Sequence, residues 1–270
     1  MNRDAPLGVF DSGLGGLTVV HALRQILPHE NIVYLGDTAR VPYGTKGAAT
    51  VVRYALGCTR HLVDRGVKAV VIACNTVSAV APERLRIDFD VPVLGVIDPG
   101  ARAAVDASTT GRIGVLATTG TVASGAYARA VQQYSTRAEV ISQAAPLLVP
   151  LAEEGWTEGE VPNLIIDRYL LPLKEANVDT LVLGCTHYPL LKHAIEARAR
   201  LHLGPSVKIV DSAQSAALDV AAFLRERRLH STRTEAGSLE LRVTDLPAAF
   251  MTIAGRFLGE SVPEAEQVDL

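Results

Sequence analysis

The segments GVKAVVIACNTVSAVAP (66–82) and NVDTLVLGCTHYPLLKH (177–193) are two copies of one pattern. Each opens on a turn, runs through an apolar strand, reaches a cysteine and continues through polar residues into a helix, so that Cys74 corresponds to Cys185. Each is followed by a further strand that we read as ending in aspartate, at Asp98 and Asp211. An earlier pair, GVFDSGLGGLTVV (8–20) and GVLATTGTVASGA (114–126), corresponds as well, at a similar distance from its cysteine. Self-similarity of this extent indicates an internal duplication, hence two related lobes.

Outward from these copies, short Val/Ile/Leu-rich runs alternate with stretches of helical periodicity, the mark of βα units around a buried parallel sheet. Strands are expected at 7–10, 31–35, 68–73, 92–97, 112–117, 138–141, 180–184 and 207–211, and helices at 17–27, 48–65, 122–134, 163–176 and 189–200. The stretch 211–257 is read as helical and as packing back onto the first lobe. The expected fold is α/β, with two pseudo-symmetric lobes, each a mostly parallel sheet flanked by helices, around a cleft. The first lobe takes residues 1–97 and 210–270, the second 98–209. Ligands of such sheets bind beyond the carboxyl ends of the strands, where loops and helix N-termini present unpaired N–H groups. The polar motifs Asp11-Ser12, Asp37-Thr38, Cys74-Asn75-Thr76, Thr118-Thr119 and Cys185-Thr186-His187 all fall there.

The 270 residues, 48% hydrophobic and 20% charged, suit a globular protein with a well-filled core and exclude disordered and fibrous classes. A formal net charge of −3 and the absence of a basic run disfavour nucleic acid as a partner. The N-terminus lacks an apolar signal core, and no apolar stretch reaches the roughly 18–20 residues needed to span a bilayer, so no membrane partner and a cytoplasmic location are expected. Three widely spaced cysteines, without a C-x2-C pair, point to free thiols and to no metal site.

A thiol between a strand and a helix N-terminus is well placed to ionise. A lone cysteine is more often a small buried hydrophobe, but Cys74 and Cys185 occupy equivalent strand ends of a duplicated unit, and packing alone does not require that. Cys58 recurs with Val51, Ala55 and Leu62 at helical spacing and reads as core. Two thiols facing one another across a small cleft suit removal of a proton from one face of a carbon and redelivery to the other. Asp11, ending the first strand, is expected beside Cys74, because neighbouring strands of such a sheet often pair; His187 lies two residues from Cys185. Helix capping by Asp11, a structural role for His187 and a turn or cap role for Asp37 are the plainer alternatives. DSGLGG at 11–16 fails as a dinucleotide loop, since Thr18 stands where G-x-G-x-x-G needs glycine. Its glycines are better read as a tight turn that lets backbone amides approach a carboxylate. Of the five lysines, Lys68, Lys192 and Lys208 read as surface residues at element ends, and Lys46 lies in a Gly-rich loop, so a pyridoxal Schiff base is not favoured. No cofactor is expected.

Taken together, GVFDSGLGGLTV (8–19), GDTARVPYG (36–44), ACNTVSA (73–79) and LGCTHYPLL (183–191) resemble the glutamate racemases of the aspartate/glutamate racemase superfamily over most of the chain. The resemblance implies cofactor-independent interconversion of L- and D-glutamate, an isomerase activity that supplies D-glutamate for peptidoglycan. Cys74 would act on the D enantiomer with help from Asp11. Cys185 would act on the L enantiomer with help from His187, itself paired with Glu153 in preference to the adjacent Glu154. Substrate would be held by Asp11, Ser12, Pro42, Tyr43, Gly44, Asn75, Thr76, Thr118, Thr119, Thr121, Thr186 and His187. Ala145 stands where many relatives carry a cysteine. The expected partner is the small molecule glutamate, and a homodimer is compatible with the sequence. Two alternatives remain: a racemase for aspartate or another amino acid, and a non-catalytic amino-acid-binding regulatory protein.

Overall fold

In the computed structural model, which describes residues 2–246, 248 and 250–270, the strands Leu7–Asp11 (β1), Ile32–Gly36 (β2) and Ala69–Ile72 (β3) are buried at every position. Unbroken burial is what covering both faces of a parallel sheet requires of its strands. With Val93–Gly95 (β4) they form the order β2-β1-β3-β4, and every pairing is parallel. Four later strands, Arg112–Ala117 (β5), Glu139–Ala144 (β6), Thr180–Gly184 (β7) and Lys208–Asp211 (β8), form a second parallel sheet in the order β6-β5-β7-β8. The two sets share one topology, and in both a cysteine follows the third strand: Cys74 after β3 and Cys185 after β7.

The chain after residue 226 departs from its helical reading. Leu239–Val243 (β9) pairs with β2, and Ala265–Gln267 (β10) pairs with β9, extending the first sheet to six strands. Only the helices Ser212–Glu226 and Phe250–Leu258 match the periodicity seen in that stretch. The helix Ser212–Glu226 packs on Leu17–Ile26 and on Ile97–Ala107, so it bridges elements associated with both sheets.

Other differences have local causes. The expected helix 122–134 is two helices, Thr119–Ser124 and Ala126–Tyr134, because Gly125 takes a left-handed conformation (φ 65°) that ends the first and starts the second. The strand expected over 92–97 stops at Gly95, and Asp98 lies in the first turn of the helix Ile97–Ala107, where its charge suits the N-terminal end of the helix dipole; it is not the end of a strand. Lys68 is not a surface residue. It is buried against Glu30, and its Nζ also donates to the carbonyls of Arg3 (2.6 Å) and Leu229 (2.9 Å). Because Glu30 Oε1 accepts from Ser231 N at 2.7 Å, this pair joins the N-terminus, the β2 approach and the C-terminal segment.

Candidate active site

β1 and β3 are directly hydrogen-bonded, which carries Asp11 to the level of the Cys74 loop. Asp11 is fully buried; Oδ2 accepts from Gly13 N at 3.1 Å, and Oδ1 has no protein partner. Burial pushes its pKa up against the opposing pull of the His187 charge and of the Gly16, Gly13 and Ser12 amides. It is therefore a carboxyl seated beneath the Ser12–Gly16 loop and not a helix cap.

The glycines of that loop serve close approach. Gly13, Gly15 and Gly16 are absent from the positive-φ residues, so a left-handed turn is not what requires them. A Cβ at Gly15 would collide with Thr186 Oγ1 and His187 Nδ1, and one at Gly16 would collide with Asp11 Cβ. Thr18 completes the contact, its hydroxyl lying 2.9 Å from both Gly15 O and Thr186 O. The loop after β1 thus rests directly on the loop after β7.

Between the two sheets opens a cleft of about 480 Å³ that both thiols line, together with Ser12, Pro42, Tyr43, Gly44, Asn75, Thr76, Thr118, Thr119, Glu153, Thr186 and His187. Two further residues named from the sequence, Asp11 and Thr121, stand behind its wall. Thr121 belongs to a hydroxyl cluster, with Thr76 to Thr118 at 2.9 Å and Thr118 to Thr121 at 3.0 Å. Asn75 donates from Nδ2 to Tyr127 OH at 2.9 Å, while its Oδ1 is buried without a protein partner.

The two sulfurs have different surroundings. Cys74 donates to Ser12 Oγ at 3.6 Å, and burial first, then the Asp11 charge, push its thiol up to about 12. Cys185 Sγ lies 3.9 Å from His187 Nδ1, and His187 Nε2 is 3.0 Å from Glu153 Oε1; Glu154 is not the partner. Burial opposes charging of the His187 ring, but the hydrogen bonds and charges of Cys185 and Glu153 outweigh it and raise the imidazole to about 10. Cys58 is buried in the helix Ala48–Asp64 among Val51, Ala55 and Leu62, away from the cleft lining. Asp37 stands at the N-cap position of the 3-10 turn Thr38–Arg40, its carbonyl accepting from Arg40 N at 3.2 Å, but its side chain does not cap: fully buried, the carboxylate accepts from Tyr43 OH, from Arg40 Nε at 2.9 Å and from Thr244 Oγ1 at 2.9 Å.

Residues 17–220, well over half of the chain, match the Asp/Glu/hydantoin racemase family. The chain belongs to this family. It is 50% identical over 264 residues to the glutamate racemase of Geobacter metallireducens, covering 98% of this chain and 96% of that one. The crystal structure of a glutamate racemase from Francisella tularensis in complex with D-glutamate superposes with a TM-score of 0.91 at 38% identity, covering 99% and 98%. That of the isoform RacE1 from Bacillus anthracis gives 0.93 at 35%, covering 100% and 99%. The two-lobed α/β fold is thus that of the racemase family.

In this family member the cleft also has an apolar wall that the motifs did not disclose: Leu14, Val41, Pro146, Val149, Pro150 and Ile253. Leu14 and Val41 lie within quoted motifs; the other four come from the 145–154 stretch, where the sequence singles out only Ala145, Glu153 and Glu154, and from the C-terminal helix Phe250–Leu258. Among the described residues no cluster of three or more His, Cys, Asp or Glu is arranged to hold a metal, and no helix is long and apolar enough to cross a membrane.

Proposed function

We propose that this chain interconverts L- and D-glutamate by a two-base mechanism in which Cys74 and Cys185 work on opposite faces of the α-carbon, without a cofactor. The observation that carries this is the presence of two buried thiols at equivalent strand ends of one cleft, one beside a carboxyl and the other beside an imidazole–carboxylate pair. Cys185 as thiolate takes the α-proton of L-glutamate, and the C–H bonding pair stays on carbon. Cys74 as thiol gives its S–H proton to the opposite face, leaving D-glutamate, a Cys74 thiolate and a Cys185 thiol. The reverse reaction exchanges the two roles.

The raised Cys74 thiol suits the donor role, and the His187 cation offsets negative charge on the Cys185 sulfur. Asp11 assists Cys74; His187, supported by Glu153, assists Cys185. An α-proton is very weakly acidic, so the carbanion-like state needs preorganised donors in a water-poor site. Ser12, Asn75, Thr76, Thr118, Thr119 and Thr186, with the Pro42-Tyr43-Gly44 turn and His187, line the cleft in positions to hold the substrate carboxylates and ammonium, with Asp11 and Thr121 supporting them from behind. The glutamate racemases of Francisella tularensis, solved with D-glutamate, and of Escherichia coli, solved with L-glutamate, support glutamate as the substrate. The further parts of the proposal are supply of D-glutamate for peptidoglycan, a cytoplasmic location, lobes formed by 1–97 with 210–270 and by 98–209, and a homodimer.

The test is incubation of each enantiomer in deuterated water, following circular dichroism and α-deuterium incorporation. Racemisation with deuterium uptake from both enantiomers, undiminished by dialysis and a chelator, is expected, and Cys74→Ala or Cys185→Ala alone should abolish it. Failure of both glutamate enantiomers to exchange at high protein concentration would refute the proposal. Faster exchange with aspartate would reassign the substrate.

A further inference from the structure

The C-terminal helix Phe250–Leu258 reaches the cleft beside Cys185. Ile253 lines the cavity, and Arg256 Nη1 donates to the backbone oxygen of Glu153 at 2.6 Å. Phe257 is 3% exposed and meets the His187 ring in a T-shaped contact, with centroids 5.0 Å apart and planes at 78°. Positions 253, 256 and 257 share one face of a helix. The imidazole is held in its plane by Glu153 at one nitrogen and by Cys185 and Thr186 at the other, and the phenyl ring supplies a wall against tilting. Cys74, by contrast, takes its partners Asp11 and Ser12 from the end of β1 and the loop that follows it.

We propose that Phe257 and Arg256 are positioning residues for the His187–Glu153 pair, so that the C-terminal helix governs proton transfer at Cys185 and leaves transfer at Cys74 unaffected. This rests on the two-cysteine reading above. Phe257 is not part of the cleft lining; it acts through the orientation of His187. The identity of the residue follows from that task, since an aromatic pair is both attractive and orientationally selective in a way that an aliphatic contact is not.

Net rates alone do not localise the effect. L- and D-glutamate have equal free energy, so kcat/KM falls by the same factor in both directions whichever thiol is impaired. Isotope effects do separate the two steps, because the α-deuterium of each enantiomer is removed by a different base. Phe257→Leu should lower kcat/KM by about 3- to 10-fold, the range of an aromatic pair contact. The α-deuterium isotope effect on kcat/KM should rise for L-glutamate and fall towards unity for D-glutamate. Arg256→Gln, at an exposed position, should give the same split with a smaller loss, and it carries the test if Phe257→Leu does not fold. Isotope effects that stay unchanged or move together for the two enantiomers would overturn the positioning role, as would unimpaired kcat/KM in both variants. Absence of racemisation by the unsubstituted protein would instead overturn the functional reading beneath it.

Discussion

Replacing Glu153 by Gln removes the charge facing His187 Nε2 while keeping a side chain of the same length with a hydrogen-bonding oxygen. At the observed 3.0 Å, the Coulomb attraction of a unit pair is about 1.4 kcal/mol under full water screening and about 5.5 kcal/mol at an effective dielectric of about 20. The His187 side chain is 10% exposed but that of Glu153 is 47% exposed, so solvent screening places the value near the lower end, about 1–2 kcal/mol. That corresponds to a fall of about one unit in the His187 pKa. The sign follows from linkage. The folded value, about 10, lies above the reference 6.5, so the stabilisation is complete below about 6.5 and is lost as pH rises through about 10. Imidazole titration of His187 by NMR should show the drop in Glu153→Gln, and denaturant midpoints taken below about pH 6.5 and above about pH 10 should lie closer together than in the parent protein. The loss in kcat/KM should not exceed about 30-fold, since each 1.36 kcal/mol is a factor of ten in rate and the lost attraction is about 1–2 kcal/mol. A His187 titration unchanged by the substitution would refute the assignment of Glu153 as a source of the raised pKa.

Gly15→Ala places a Cβ against Thr186 Oγ1 and His187 Nδ1; turnover should fall by about 100-fold, the scale associated with displacements near 1 Å in a reacting site, and unimpaired kinetics would show that this contact does not set the geometry. Lys68→Met leaves the Glu30 carboxylate buried without its cation and should cost about 3–5 kcal/mol in denaturant unfolding, with partial recovery in the Lys68→Met/Glu30→Gln double variant. Cys58→Ala should destabilise by about 1 kcal/mol while leaving racemisation near the parent rate, and a dead Cys58→Ala protein of normal stability would mean that Cys58 is not merely core.

Much of this architecture was legible in the chain. β3 and β7 were visible because continuously buried parallel strands write near-continuous apolar runs, AVVI and LVLG, into the sequence, and the duplicated topology was visible as Cys74 over Cys185. β9 and β10 were not read. Leu239–Val243 alternates Leu-Glu-Leu-Arg-Val after a polar loop, a period-two signal that a search for buried runs passes over. Ala265–Gln267 is a three-residue edge strand with two exposed positions, which leaves almost no pattern at all. The helix Ile97–Ala107 was hidden because its Val-Ile entry continues the apolar run of β4.

By itself the sequence determined the fold class, the repeat and the chemical character of the cleft, because periodicity, turn residues and motif order are local properties that one dimension records. Only the tertiary structure decided which side chains meet. Glu153 in place of Glu154 on His187, Phe257 against the same ring, Tyr127 on Asn75, and the burial of Lys68 with Glu30 all join residues far apart in the chain. Such pairings follow from how the lobes and the returning C-terminal segment pack. The same packing makes the two thiols inequivalent: each sits at a repeated strand end, but one is buried beside a carboxyl and the other beside an imidazole that the C-terminal helix holds in place.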